Sequence, residues 1–170
     1  RPDSNDADTT VSGACLVALY AARNAGIAVP DNAFDRAMNF YRLTQSENGG
    51  FGYTHPSDSS PARGAIGLLV FSLAKDKQSR HYKDAYGYLH EARNRAGGNN
   101  YYYYLYYASQ AFFHGAEEGW AAFNEANIAT LASTQNTDGS WQGNNGATAS
   151  TAMALLSLAL NYRFLPIYER

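Results

Sequence analysis

The sequence predicts an all-α protein built from repeated pairs of helices. Two segments share one pattern, in which a glutamine is followed by three residues, a glycine, one residue and an aromatic ring: Gln45, Gly49 and Phe51, and Gln135, Gly139 and Trp141. The second glutamine lies 90 positions after the first, which is twice a period of 45 and indicates a repeat. The stretches between these marks carry apolar residues at helical spacings, and none shows the alternation typical of a strand.

The first two helices are predicted from apolar spacing and from residues that begin or end helices. Helix one runs from Thr10 to Asn24, with Asp8 or Thr9 as its N-cap and Gly26 as its stop. Its residues at helical spacing are Val11, Ala14, Cys15, Ala18 and Ala22, with Leu16, Val17, Leu19 and Tyr20 on its other sides. Helix two runs from Asp31 to Thr44, with an apolar stripe of Phe34, Ala37, Met38 and Tyr41.

Five further helices follow, and apolar helices alternate with more polar ones. The first of them is predicted to begin at Pro61 and to continue through residues 65–74. The other four are predicted to cover residues 81–93, 101–114, 117–133 and 147–162, and Pro166 follows the last. A helix that is apolar on most sides is buried, whereas a helix with one apolar stripe faces solvent. The alternation therefore predicts two layers, in repeats of about 8–52, 60–98 and 99–141 and a final half repeat over 147–162.

The spaced glutamine, glycine and aromatic residues resemble the repeat of squalene-hopene and oxidosqualene cyclases. The chain is similar over most of its length to the terpenoid cyclase and protein prenyltransferase superfamily, whose fold is an α/α-toroid. Residues 21–26 and 165–170 also look like uncharacterised bacterial members of that group. The resemblance implies about half a ring, with three antiparallel helix pairs and one further inner helix.

The six motif residues are interpreted as structural. A glutamine amide can bond backbone groups at helix ends, a glycine permits a positive φ in a tight turn, and an aromatic ring fills the gap between layers. A middle copy is expected near residue 90, where the stretch from His90 to Gly98 has glycines but no leading glutamine.

Asp6 and Asp8 are the candidate catalytic residues. The segment Asp6-Ala7-Asp8-Thr9-Thr10 resembles the Asp-x-Asp-Asp-Thr-Ala motif of class II terpene cyclases, whose middle aspartate protonates an alkene. Thr9 replaces the third aspartate, which counts against activity. The alternative is that Asp8 or Thr9 caps the first helix.

A run of tyrosines at the start of the fifth helix supplies the candidate ligand-binding residues Tyr103, Tyr106 and Tyr107. Consecutive tyrosines on a helix point around its circumference, so some of them should face a cavity. Aromatic faces can stabilise a carbocation or stack on a flat ligand. The alternative is packing between the two layers.

Composition excludes several functions. The chain has 170 residues, 16% of them charged, and a formal net charge of −2 without a basic run, so nucleic acid is not expected as a partner. No apolar stretch approaches the roughly 20 residues of a transmembrane helix. Cys15 is the single cysteine and is expected to be buried, and the four histidines show no metal-ligand spacing. No metal or cofactor is predicted.

Three functions remain open at this point. The first is a non-catalytic module that binds an isoprenoid-like apolar molecule or a protein on its concave face, and the incomplete acid motif favours it. The second is an isoprenoid cyclase with Asp8 as general acid, and the third is a polysaccharide-active barrel, for which no carboxylate pair is evident. We read the chain as a fragment that can self-associate through exposed inner helices, and its compartment is not predicted.

Overall fold

The fold is all-helical, as the sequence predicts. The computed structural model describes residues 6–93, 98, 100–115 and 117–162, with the side chains of residues 117 and 118 excepted. Within these residues there is no strand, and one isolated antiparallel bridge joins Gln45 to Phe51. The helices are α1 (Thr9–Asn24), α2 (Asp31–Thr44), α3 (Pro61–Leu73), α4 (Arg80–Ala92), α5 (Tyr101–His114), α6 (Glu117–Thr134) and α7 (Ala147–Ala159), followed by a 3₁₀ turn (Leu160–Tyr162).

The helix ends follow from local sequence signals. The side chains of Asp8, Ser60 and Ser79 accept hydrogen bonds from backbone N–H groups in the first turns of α1, α3 and α4. After α1, Gly26 has φ +80 and the Ile27 N–H donates to the Ala22 carbonyl, which closes the helix as the predicted stop requires.

The odd-numbered helices pack beside one another in chain order, so that α3 lies between α1 and α5, and α5 between α3 and α7. The even-numbered helices pack onto this row: α2 contacts α1 and α3, α4 contacts α3, and α6 contacts α5 and α7. Nine consecutive residues of α3, Gly64 to Ser72, are buried, whereas α4 buries a single stripe of Tyr82, Ala85, Leu89 and Ala92. The predicted difference in burial is therefore present for α3 and α5, which bury nine residues each, but not for α1 and α7 at the ends of the row, which bury four and three.

The prediction for α1 is wrong in two respects. Cys15 is exposed rather than buried, and Val11 is 61% exposed. The buried stripe of α1 is Thr9, Gly13, Leu16 and Tyr20, on the side that faces α2 and α3. Because α1 stands at one end of the odd-numbered row, no neighbour among the described residues covers the stripe of Val11 and Cys15.

The other end of the row is also partly open. In α7 the buried residues are Ser150, Ala154 and Ser157, while Leu155 is 53% exposed. The α-helix ends at Ala159, three residues before the predicted end, and the chain continues as a 3₁₀ turn to Tyr162. Pro166 and the segment 165–170 lie outside the described residues. Among the described helices, none has both the length and the apolar character needed to cross a membrane.

Candidate functional site

The Gln45 loop, residues 45–51 between α2 and α3, joins two repeats. The Gln45 Nε2 donates to the Gly49 carbonyl at 3.1 Å and to the His81 carbonyl in the first turn of α4 at 2.9 Å, and its Oε1 lies 2.5 Å from His81 Nδ1. Gly49 has φ +84 and lies against the backbone of Asp84. Phe51 is fully buried between Tyr41 and Phe71, at centroid distances of 5.8 and 6.1 Å.

The Gln135 loop, residues 135–141 between α6 and α7, repeats the local bonds of the first loop. The Gln135 Nε2 donates to the Gly139 carbonyl at 2.9 Å, and Gly139 has φ +83. Trp141 is 3% exposed, and its Nε1 donates to the Leu131 carbonyl at 2.9 Å. In both loops the glutamine thus bonds the glycine carbonyl of its own turn rather than an open group at a helix end, the glycine has a positive φ, and the aromatic ring is buried.

The start of the predicted middle copy does not correspond to the two loops. His90 lies inside α4, two residues before the helix ends at Ala92, and so does not occupy the place that Gln45 has after α2. Residues 94–97 and 99 are outside the described residues, and Gly98 has φ +78. A glycine with positive φ is therefore present in the α4–α5 connection.

Asp8 is the N-cap of α1. Its Oδ1 accepts hydrogen bonds from the backbone N–H groups of Thr10 and Val11, each at 2.8 Å, and from the Thr10 hydroxyl. Partial burial tends to raise the pKa of Asp8, but these hydrogen bonds and one from the Tyr53 hydroxyl outweigh it and lower the pKa below its ordinary value. The carboxyl group is thereby held in its ionised form.

The start of α1 is fixed by contacts from distant parts of the chain. Thr9 is fully buried; its N–H donates to the Tyr53 carbonyl at 2.9 Å and its hydroxyl to the Gly52 carbonyl at 2.8 Å. The hydroxyl of the buried Tyr41 donates to the Thr9 carbonyl. Gly52 and Tyr53, which directly follow the Gln45 loop, and Tyr41 of helix α2 together therefore set the position of Asp8.

The space beside Asp8 is a surface cleft. Asp6, Asp8, Val11, Ser12 and Tyr53 line it together with Ala7 and Thr54. Asp6 and Ala7 are exposed, and Val11 and Tyr53 are 61% and 51% exposed. The two candidate aspartates thus border a cleft whose walls are largely in contact with solvent.

The candidate tyrosines form a cluster on α5, and the charge of Asp8 affects one of them. The charge of Asp8 adds to burial in raising the pKa of Tyr103, and Tyr107 and Asp8 both add to burial in raising that of Tyr41. The ring centroid of Tyr107 is 5.0 Å from that of Tyr103 and 4.8 Å from that of Tyr106, in edge-to-face contacts. None of the three tyrosines is among the residues that line the cleft. Tyr107 is buried, while Tyr103 and Tyr106 are half-buried.

Tyr41 and Tyr53 are residues of this site that sequence reasoning did not identify. Tyr41 was expected only as part of the apolar stripe of α2, and Tyr53 was given no role. Each contacts the start of α1 across more than 30 residues of chain, and no local pattern signals such a contact. Among the described residues, no three His, Cys, Asp or Glu side chains are grouped so that they could hold a metal ion.

The chain was compared with protein-family models, with curated proteins and with solved structures, and none of the three comparisons gave a match.

Proposed function

We propose that this chain is a non-catalytic helical repeat domain of the squalene-cyclase and prenyltransferase type, and that it binds a protein partner. The binding surface is the side of the odd-numbered row that carries the Asp8 cleft. The observation that carries the proposal is the position of Asp8 as the N-cap of α1, where its Oδ1 accepts the backbone N–H groups of Thr10 and Val11.

An ionised cap is unsuited to protonating an alkene. Such a general acid must be protonated, strongly acidic and directed into a water-free cavity. The Asp8 Oδ1 already accepts the two N–H groups at the helix start, and the cleft beside it is open to solvent. Hydrogen bonds of this kind stabilise the carboxylate, so at neutral pH the group carries no proton that it could transfer to an alkene.

The surface around the cleft has a composition typical of protein interfaces. Tyr53 and Val11 are more than half exposed, and Tyr103 on α5, which is half-buried, is close enough to Asp8 for the carboxylate charge to raise its pKa. Aromatic rings with a hydroxyl group supply both apolar contact area and hydrogen bonds at such surfaces. The ionised Asp8 adds a negative charge, so the partner segment is expected to carry an apolar residue next to a basic one.

The catalytic alternative is tested by incubating the protein with squalene or geranylgeranyl diphosphate and analysing products by mass spectrometry. We expect no cyclic product from the wild type or from Asp8→Asn. The variant should fold, because asparagine also caps helices well. A cyclic product that the wild type forms and Asp8→Asn does not form would overturn the proposal.

Binding is tested by selecting a displayed peptide library against the protein, followed by affinity measurement with single peptides. Selected peptides should lose about tenfold in affinity for Val11→Ser, as expected for a contact at the centre of an interface. The matched control is Leu43→Ser, because Leu43 is a similarly exposed apolar residue, 65% against 61%, on α2 of the other layer. Peptides that bind both variants equally well, or no selected peptide at all, would contradict the proposed surface.

A further inference from the structure

A pocket of about 220 Å³ lies between α5 and α6, beside the C-terminal end of α4 and apart from the Asp8 cleft. Leu105 of α5 and Phe123 of α6 are buried and give it apolar walls. Ala122 and Ala126 also line the pocket and are exposed, so it opens to solvent along α6. An apolar cavity of about 150 Å³ is large enough for benzene, and drug-sized ligands occupy about 300 Å³ or more. The pocket therefore has room for one ring with a small substituent.

Arg93, the C-cap residue of α4, is the only charged residue among the described ones that line the pocket. It is partly buried, and its guanidinium forms no ion pair with an acidic side chain in the described part of the chain. The residues that directly follow it in the sequence, 94–99, include no aspartate or glutamate. No described carboxylate therefore competes with a ligand for the charge of Arg93.

The charge of Arg93 acts on the inner wall of the pocket. Tyr104 forms part of that wall and is 3% exposed. Burial raises the pKa of Tyr104, with Tyr101 adding to the effect and the charge of Arg93 opposing it. Because the effect of a charge weakens with distance, the guanidinium lies close to the buried ring. An ion pair formed beside this apolar wall is screened less than one at an open surface.

We propose that the α5–α6 pocket binds a small apolar monocarboxylate, a class of which benzoate is the simplest aromatic member. The apolar part of the ligand lies between Leu105 and Phe123, and its carboxylate accepts hydrogen bonds from the Arg93 guanidinium. A cationic ligand is repelled by Arg93, and an inorganic anion gains nothing from the apolar walls. The site shares no residue with the Asp8 cleft and is independent of the proposed protein-binding surface.

The test is a titration of the ¹⁵N-labelled protein with benzoate, benzamide and acetate at neutral pH and constant ionic strength, followed by amide chemical shifts. We expect saturable changes around Leu105 and Ala126 with benzoate. Benzoate should bind about tenfold more tightly than benzamide, which has the same shape without the charge. Acetate should bind at least about tenfold more weakly than benzoate, because it has no ring to bury. No saturable binding of benzoate, or equal binding of either other compound, would overturn the proposal.

Arg93→Gln tests the recognition of the charge. The variant keeps a long polar side chain, so benzoate affinity should fall about tenfold, to that of benzamide, whose own affinity should not change. Arg80→Gln is the matched control, because Arg80 is on the same helix, its side chain is 91% exposed, and it does not line the pocket. Both substitutions change the net charge equally. An equal loss of benzoate affinity in the two variants would show that benzoate responds to net charge alone and would overturn the proposal.

Ala126→Phe tests the location of the ligand. The added ring should fill the pocket and abolish the binding of both benzoate and benzamide. Ala132→Phe is the control, because Ala132 is an exposed residue of α6 outside the pocket, and it should bind benzoate normally. Both variants should retain the far-ultraviolet circular dichroism of the wild type. Undiminished benzoate binding in Ala126→Phe would place the ligand elsewhere.

Discussion

The Gln45 loop and the Gln135 loop share one local geometry but differ in what surrounds them. In each, the glutamine amide donates to the glycine carbonyl, and the glycine has a φ of +84 or +83. The residue after each glutamine also exchanges the same backbone bonds: the Ser46 N–H donates to the Gly50 carbonyl at 2.8 Å, and the Asn136 N–H donates to the Ser140 carbonyl at 2.9 Å. The turn is therefore set by its own residues.

The two loops differ in the contacts that they make with other parts of the chain. Gly49 is buried against the Asp84 backbone, and Gln45 bonds His81, so helix α4 of the next repeat closes over the first loop. Gln135 and Gly139 are exposed, and no helix among the described residues takes the place of α4 at the second loop. The comparison indicates that the motif encodes a turn locally, while its contribution to stability comes from the repeat that packs on it.

The largest expected difference is between Gly49→Ala and Gly139→Ala. Both place alanine at a positive φ, which costs about 1–2 kcal/mol. At Gly49 the added Cβ would also lie 2.7 Å from the Asp84 carbonyl carbon, and the overlap should raise the total loss to about 3–5 kcal/mol. The free energy of unfolding of both variants is measured by urea unfolding, monitored by far-ultraviolet circular dichroism. Equal losses would show that α4 does not close over the first loop.

An exchange of the two aromatic residues should have the next largest effect. Phe51 has no free space, because its ring lies against Gly67, where a Cβ would be 2.6 Å from the Phe51 Cζ. Phe51→Trp should therefore destabilise the protein by about 2–3 kcal/mol. Trp141→Phe loses a hydrogen bond to Leu131 and some contact area, about 1–2 kcal/mol. If Phe51→Trp proved neutral in the same unfolding experiment, the first loop would be less tightly packed than the structure indicates.

The two glutamines should differ by a smaller amount. Gln45→Ala removes bonds to Gly49 and to both the backbone and the ring of His81, a loss of about 2 kcal/mol. Gln135→Ala removes one exposed bond to Gly139 and should cost about 0.5 kcal/mol. A double substitution of Gln45 and His81 should cost less than the sum of the two single losses. Strict additivity would mean that the side-chain contact between Gln45 and the His81 ring contributes nothing.

The smallest expected difference between the two loops is in how one hydrogen bond of each responds to pH. Asp138 and Asn48 precede the two glycines, and each side-chain Oδ1 accepts a backbone N–H two residues on at 3.0 Å, from Ser140 and Gly50 respectively. Hydrogen bonds from the Ser140 hydroxyl and N–H lower the pKa of Asp138 below its ordinary 3.8. The hydrogen bonds to the Asp138 carboxylate are thus fully present above pH 3.8 and are lost as the pH falls through the lowered pKa.

Only the Asp138 bond should therefore be lost in acid, because the side-chain amide of Asn48 does not titrate. In an NMR titration from pH 5 to about 2, the Ser140 amide should shift with an apparent pKa below 3.8, and the Gly50 amide should not shift in step with it. Asp138→Asn should remove the Ser140 response. A Ser140 shift with an apparent pKa at or above the ordinary aspartate value would contradict the hydrogen-bonded geometry.

Local signals predicted the helices well. The bounds of α2 and α5 agree with the structure, because Pro30 and Asn100 precede helical spacing that is strong enough to define each segment. The turns of both loops could also be predicted, since a glycine at positive φ and a glutamine four residues from its acceptor act within a few residues. Such features depend on short stretches of chain.

What depended on packing could not be predicted. Cys15 is exposed because α1 lies at the end of the odd-numbered row, and the apolar spacing of α1 does not indicate that position. The bond from Gln45 to His81 and the contact of Tyr41 with Thr9 each span more than 30 residues.

The two tryptophans of the chain both lie in its C-terminal half. Trp120 is in α6, 5.2 Å from the ring of Phe113, and Trp141 lies in the Gln135 loop. Intrinsic fluorescence therefore reports on the last repeat, whereas circular dichroism averages over all helices. In a chain whose repeats contact mainly their neighbours, the two signals need not change at the same denaturant concentration. The wild-type protein thus carries a natural probe of how strongly its terminal repeat is coupled to the rest.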